Sequence, residues 1–217
     1  MTEGEPLIRW DWIASHLDEF AFRLGEHVEL TVIAVGVGFV IAFALSLLIL
    51  RAPRTEGPIT AVTGTMYTIP SLALFALLIP YTGLTVLTAE IGLVSYTLLS
   101  LLRNIVRGIR GVPAEVREAA VGMGYSPREI LWRIELPLAL AVIIAGVRLA
   151  TISTIGLVTV TSLIGQGGFG FLILIGIQRF FTTELIAGAV LSVALAILAD
   201  ALLVLLQRRL TPWARAA

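Results

Sequence analysis

The sequence predicts an all-α, polytopic membrane protein, and three observations predict it. Of its 217 residues, 58% are hydrophobic and only 14% charged, where a soluble domain carries ~25% charged residues. Apolar runs of about 20 residues, the length a helix needs to cross the hydrocarbon core, recur along the chain. The remaining charges gather largely between those runs, and every basic residue is an arginine.

Residues 1–27 form a polar, interfacial N-terminal segment. Glu3, Glu5, Asp11, Asp18, Glu19 and Glu26 outweigh Arg9 and Arg23. That is the wrong polarity for a signal peptide or a cytoplasmic flank, so this start is expected to be extracytoplasmic and retained. Trp10, Trp12, Phe20 and Phe22 suit anchoring at the membrane interface. His16 and His27 do not have the spacing of a helical metal pair and read as surface or interfacial residues. The first crossing, residues 28–50, offers Gly36, Gly38, Ala42 and Ala44 as small contact surfaces. Arg51, Pro53 and Arg54 then place its end in the cytoplasm by the positive-inside rule.

The second crossing, residues 59–80, carries Thr60, Thr63, Thr65, Tyr67, Thr68 and Ser71, and Pro70 is expected to kink it. A kinked helix with hydroxyls fits either a bundle interior or the wall of a transport path. Tyr81, Thr82 and Gly83 form an external turn. The third crossing, residues 84–102, holds Glu90 and ends in Arg103, Arg107 and Arg110. The fourth, residues 138–164, holds Arg148 and Thr151. Charges at membrane depth must face protein or water. Counting ~1.5 Å per residue from Arg103 and Pro137 puts Glu90 and Arg148 at similar depths, so an ion pair between them is one hypothesis beside separate partners for each.

Residues 165–170, GQGGFG, superficially resemble a phosphate loop. No Lys-Ser or Lys-Thr follows, so the glycines are expected to serve a tight bend and close packing. Residues 169–177 are too short to span and read as re-entrant, or as lying on the outer surface. The last crossing, residues 185–206, contains Asp200 and stops at Gln207, Arg208 and Arg209. Five crossings with the N-terminus outside and the C-terminus inside put Arg51, Arg54, Arg103, Arg107, Arg110, Arg117, Arg128, Arg133, Arg208, Arg209 and Arg215 in the cytoplasm. Only Arg9, Arg23 and Arg179 then lie outside.

That topology makes residues 118–137, EAAVGMGYSPREILWRIELP, a cytoplasmic insert. Pro113 suits a first helical position, residues 113–123 are mostly good helix formers, and Gly124 suits a left-handed helix end. Ser126, Pro127 and Glu129 spell a capping box that starts a second helix. On it Ile130 and Ile134 share one side and Glu129 and Arg133 can pair on another. Pro137 marks the change into the next apolar run. A solvated linker is the simplest alternative on this physics alone.

Glu118-Ala119-Ala120, Gly124, Ile134 and Leu136-Pro137, at their spacing, resemble in full the EAA signature of the permease subunits of bacterial and archaeal ABC importers. Residues 28–209 look like the type I permease domain with its five-helix core, with coupling helices at about 113–136 and a tail at 210–217. Residues 68–74 (TIPSLAL), 102–104 (LRN), 145–148 (AGVR), 163–170 (LIGQGGFG) and 208–212 (RRLTP) are similar to the branch that imports glycine betaine, carnitine, choline or proline betaine. Phe169 departs from that branch's usual leucine.

The resemblance implies a multi-pass protein of the cytoplasmic membrane, surrounded by lipid and paired with an identical or sister permease. It implies ABC ATPase subunits below, which use the ATP, and an extracytoplasmic binding protein above. In that mechanism the insert is a lever with Glu118 as a polar contact and Gly124 setting its angle. Thr65, Tyr67, Glu90, Arg148 and Thr151 are the candidates for the path or for buried charge. The chain itself has no cysteine, no phosphate loop, no GxSxG elbow and no metal-ligand cluster, so no bound cofactor or metal, no catalytic residue and no nucleic-acid partner are expected. The rival readings are a permease for methionine or another amino acid and, from a different class, an intramembrane enzyme using Glu90 or Asp200.

Overall fold

The computed structural model describes residues 7–215, so Glu3 and Glu5 of the acidic start and the last two residues of the tail lie outside the described residues. The described chain is helical from end to end. A short α1 (Trp10–Ser15) leads into α2 (Leu17–Arg51), an unbroken rod of 35 residues joining the polar start to the first crossing. Then come α3 (Glu56–Thr68), α4 (Ser71–Thr82) and α5 (Val86–Arg110). The insert contributes α6 (Ala114–Gly122) and α7 (Pro127–Ile130), followed by α8 (Leu136–Thr161), α9 (Phe169–Gln178) and α10 (Thr182–Leu210). Four helical segments are long and apolar enough to cross a membrane, and α3 with α4 makes a fifth, broken span.

The bundle is built around α5, which packs against α2, α3, α4 and α8. Toward the insert end, Ile49 of α2, Leu101, Leu102, Ile105 and Ile109 of α5, and Ala139 and Ile143 of α8 form one buried cluster. Toward the other end, Leu30 and Ala34, Phe75 of α4, Ala89 and Leu93, and Val158 form a second. Lipid is as apolar as leucine, so these helices associate by close packing rather than by escape from water. Small residues permit that closeness. A Cβ on Gly146 would lie 2.5 Å from the Cβ of Asn104, and one on Gly108 would lie 3.2 Å from the Ala139 carbonyl.

The second crossing is broken rather than kinked. α3 and α4 meet at 99°, with Ile69 and Pro70 both extended. Pro70 has no N–H to donate and its ring disfavours helical geometry at Ile69, so the helix ends there.

The glycine run makes the expected bend, with Gly165, Gly167 and Gly168 all at positive φ. A Cβ on Gly168 would lie 2.7 Å from the Arg23 carbonyl, so the loop presses directly on α2. α9 leaves that loop and returns to the same end of the bundle, where Trp12 stacks edge-on to Phe181 and the Arg9 N–H donates to the Thr183 hydroxyl at 3.0 Å. The 10 residues of α9 therefore stay at one end of the bundle and do not run its length. His27 corrects the surface expectation. It is fully buried, its Nε2–H donates to the Ile155 carbonyl at 3.0 Å, and its Nδ1 accepts from the Phe169 N–H at 3.3 Å. A neutral imidazole with one donor and one acceptor can satisfy a carbonyl on one helix and the orphan N–H at the start of another, which an arginine could not. His16 is half-buried and stacks on Trp12.

Candidate functional site

The insert lies where α5 ends and α8 begins, at one end of the apolar bundle. Pro113 precedes α6 with φ −54° and ψ 142°, so it occupies the N-cap rather than the first helical position. At the other end Gly124 has φ +84°. Its N–H donates to the Val121 carbonyl at 2.9 Å and the Tyr125 N–H reaches the Ala120 carbonyl at 3.1 Å, the paired bonds of a Schellman closure. Ser126 and Glu129 then form the capping box. The Ser126 N–H donates to the Glu129 carboxylate at 3.0 Å and the Glu129 N–H donates to the Ser126 hydroxyl at 3.4 Å.

What begins at the capping box is not a separate second helix, as the sequence suggested, but the start of the fourth crossing. α7 runs through a π turn, Leu131–Glu135, into α8 without a break. The Leu136 N–H donates to the carbonyl of Leu131, five residues back. In a regular helix the Pro137 ring would strike the Arg133 carbonyl, and the wider turn removes that clash. Ile130 is buried, Ile134 and Leu136 are half-buried, and Arg133 pairs with Glu129 at 3.5 Å. α7 is thus continuous with α8.

α6 is held to this rod by a residue that sequence reasoning passed over. Arg117 pairs with Glu135 of the π turn at 2.6 Å and donates to the Ile109 carbonyl at the end of α5, also at 2.6 Å. The signal was an arginine beside the signature glutamate and an acid just before Leu136-Pro137, but only the fold brings them together. Ala120 is completely buried beneath α6. Glu118 and Ala119 point out, as do Val121 and Met123, which are 63% and 68% exposed. The insert therefore presents a mixed apolar and acidic face on a stiff mount. At its base Arg110 makes a two-pronged contact with Glu56 of α3 at 2.9 and 2.7 Å.

The candidate residues at membrane depth do not converge in one chain. Thr65 and Tyr67 lie exposed on α3, with the Tyr67 ring edge-on to Tyr96, centroids 6.1 Å apart. Glu90 is buried near the opposite end of α5, and neither of its carboxylate oxygens has a hydrogen-bond partner. Arg148 does not pair with it. Its Nε and Nη2 donate to the two oxygens of Asp200 on α10 at 2.8 and 3.1 Å, and its Nη1 reaches Gln207 at 3.3 Å.

Two facts decide that choice of partner. Gly146 faces Asn104 of α5, and Arg148, two residues on, points about 200° around the helix and so away from α5. The contacts of Gly108 with Ala139 and of Asn104 with Gly146 also put Arg148 level with about residue 102 of α5. Glu90 is then about 18 Å further along. Asp200 and Gln207, two turns apart on α10, flank the arginine instead. Thr151 bonds back to the Val147 carbonyl at 2.8 Å and lines an apolar groove of about 690 Å³ between α2, α8 and α10.

Residues 31–213 match the family described as the binding-protein-dependent transport system inner membrane component. The chain is 39% identical over 194 residues to the choline transport system permease protein OpuBB of Bacillus subtilis, covering 89% of each. It is 36% identical over 194 residues to the glycine betaine/carnitine/choline transport system permease protein OpuCB of the same organism, again covering 89% of each. To the osmoprotectant import permease protein OsmW of Salmonella typhimurium it is 38% identical, covering 86% of this chain and 89% of that one. Its fold is that of the permease in inward-facing structures of the methionine ABC transporter MetNI. There the TM-score is 0.79 at 22% identity, covering 91% of this chain and 98% of that one. An amino acid ABC transporter gives 0.77 at 18% identity, covering 93% and 99%. The chain belongs to the family of binding-protein-dependent transport system inner membrane components: it is a multi-pass permease subunit of an ABC importer in the cytoplasmic membrane.

Proposed function

We propose that this permease moves a small osmoprotectant of the glycine betaine, carnitine, choline or proline betaine class into the cell, driven by separate ATPase subunits docked on the insert. The observation that carries the reading is the agreement of its curated relatives, which are named for choline, carnitine, glycine betaine and osmoprotectant transport and match over most of the chain. The methionine transporter resembles it in fold alone.

The geometry of the insert suits the coupling role. Val121 and Met123 offer apolar surface to a groove on the ATPase, and Glu118 offers a charged contact beside them. Arg117 and the unbroken run from α7 into α8 give a pushed insert no slack. Closure of the ATPases on nucleotide then swings α8 and, through Ile109, α5. The arginine distribution supports a cytoplasmic insert, with the N-terminus outside and the C-terminus inside. A second permease, identical or sister, completes the path, and an extracytoplasmic binding protein delivers the substrate.

Co-purification with a partner ABC ATPase, followed by ATP-driven uptake of labelled choline, glycine betaine, carnitine and methionine in parallel, tests this reading. Uptake of a quaternary ammonium compound and not methionine is expected, and the reverse pattern overturns it.

A further inference from the structure

The break between α3 and α4 lies deep in the bundle. Tyr96, whose hydroxyl donates to the Ile69 carbonyl at that break, is about 15 Å along α5 from Val86 and about 21 Å from Arg110. The break removes helical donors from the end of α3. Pro70 has no N–H for the Met66 carbonyl, and Ser71 opens a new helix turned 99° away, so it does not serve Tyr67. Backbone of this kind is tolerated at membrane depth only inside protein or beside water.

These residues are not inside this chain. Met66 is 37% and Tyr67 47% exposed, and Thr65 and Thr68 are exposed beside them. By that rule the face is turned away from lipid, toward water or the second permease. Its electrostatics have one sign. The C-terminal end of a helix carries partial negative charge, no arginine occurs between Arg54 and Arg103, and the Tyr67 ring lies half-exposed there, edge-on to Tyr96. A quaternary ammonium group cannot donate a classical hydrogen bond, and it is held instead by ring faces and carbonyl dipoles.

We propose that the corner formed by Tyr67 and the free carbonyls at the end of α3 is a stopping point for the quaternary ammonium group of the substrate during translocation. Tyr96 is a positioning residue, since its hydroxyl fixes the Ile69 carbonyl and its ring backs Tyr67. The inference rests on the osmoprotectant reading and adds a site to it.

The test is choline uptake by the complete transporter, with its ATPase and binding protein, in proteoliposomes. Tyr67→Phe keeps the ring and should keep the rate within about twofold, whereas Tyr67→Leu should lower the maximal rate about tenfold. The KM, set by delivery from the binding protein, should stay unchanged. Fluorinated phenylalanines at position 67 give a second series that is nearly isosteric, so it does not depend on Tyr67→Leu folding. The rate should fall stepwise with each added fluorine. Choline uptake that is indifferent to fluorination, or a loss already complete in Tyr67→Phe, overturns the site alone. A wild-type transporter that imports methionine and none of choline, glycine betaine or carnitine overturns the functional reading beneath it.

Discussion

Gly124→Val isolates the coupling role of the insert, because its effect is almost entirely a backbone effect. Gly124 sits at φ +84°, and beyond its two chain neighbours nothing lies within 4 Å of the place a Cβ would occupy. Valine therefore meets no neighbour within the subunit. It meets only the left-handed conformation, which costs a residue with a Cβ about 1–2 kcal/mol and a β-branched residue more. If the chain escapes by leaving that conformation, it gives up the two Schellman bonds from Gly124 and Tyr125, each contributing roughly 0.5–1.5 kcal/mol.

Either route biases the angle between α6 and α7 by about 2 kcal/mol, a factor of roughly 30 in the population holding the native angle. The buried clusters around α5 are untouched, so the permease should still accumulate in the membrane. The assay is uptake per ATP hydrolysed in proteoliposomes. Gly124→Val should hydrolyse ATP with little uptake, Gly124→Ala should fall between, and Gly124→Asn, which tolerates positive φ, should stay near wild type. Normal coupling in Gly124→Val would refute the lever. Equal loss in all three variants would place the fault in a clash with the ATPase rather than in the turn.

Asp200→Asn should lower thermal stability and membrane abundance, because it leaves the Arg148 guanidinium without its carboxylate. The double exchange Arg148→Asp, Asp200→Arg should recover part of that loss, and no recovery would argue against the pair. Combining Glu90→Gln with Arg148→Gln should give additive effects, as expected for groups about 18 Å apart along the bundle. Arg117→Met should leave abundance intact but speed hydrogen exchange across α6, since its ties to Glu135 and Ile109 are lost. His27→Ala leaves the buried Phe169 N–H without an acceptor, a penalty of about 1–3 kcal/mol. A lowered melting temperature with early exchange in α9 should report it.

Much of this protein was legible in the chain. Apolar length marked the crossings, and Gly124, Ser126 and Glu129 act within a few residues of themselves, so their turn and cap follow from local chemistry. That α9 does not run the length of the bundle follows from its having too few residues to do so. The break at Pro70 was half legible: proline removes a donor locally, but whether a helix bends slightly or turns by 99° depends on what receives the freed backbone, here the hydroxyl of Tyr96.

Partner choice was not legible. Counting residues gives depth along a helix but not the direction a side chain faces around it, so depth alone allows Glu90 and Arg148 to pair although the helix turns Arg148 toward Asp200. His27 was misplaced for the same reason, since burial is decided by Ile155 and Phe169, more than a hundred residues away in sequence. The sequence by itself determined the membrane class, the family signature and the local geometry of the insert, because those depend on composition and on neighbours within a turn or two. Only the tertiary structure decided which charges pair, which carbonyls are left free, and that the insert runs unbroken into α8, because each of those depends on the faces that packed helices turn toward one another.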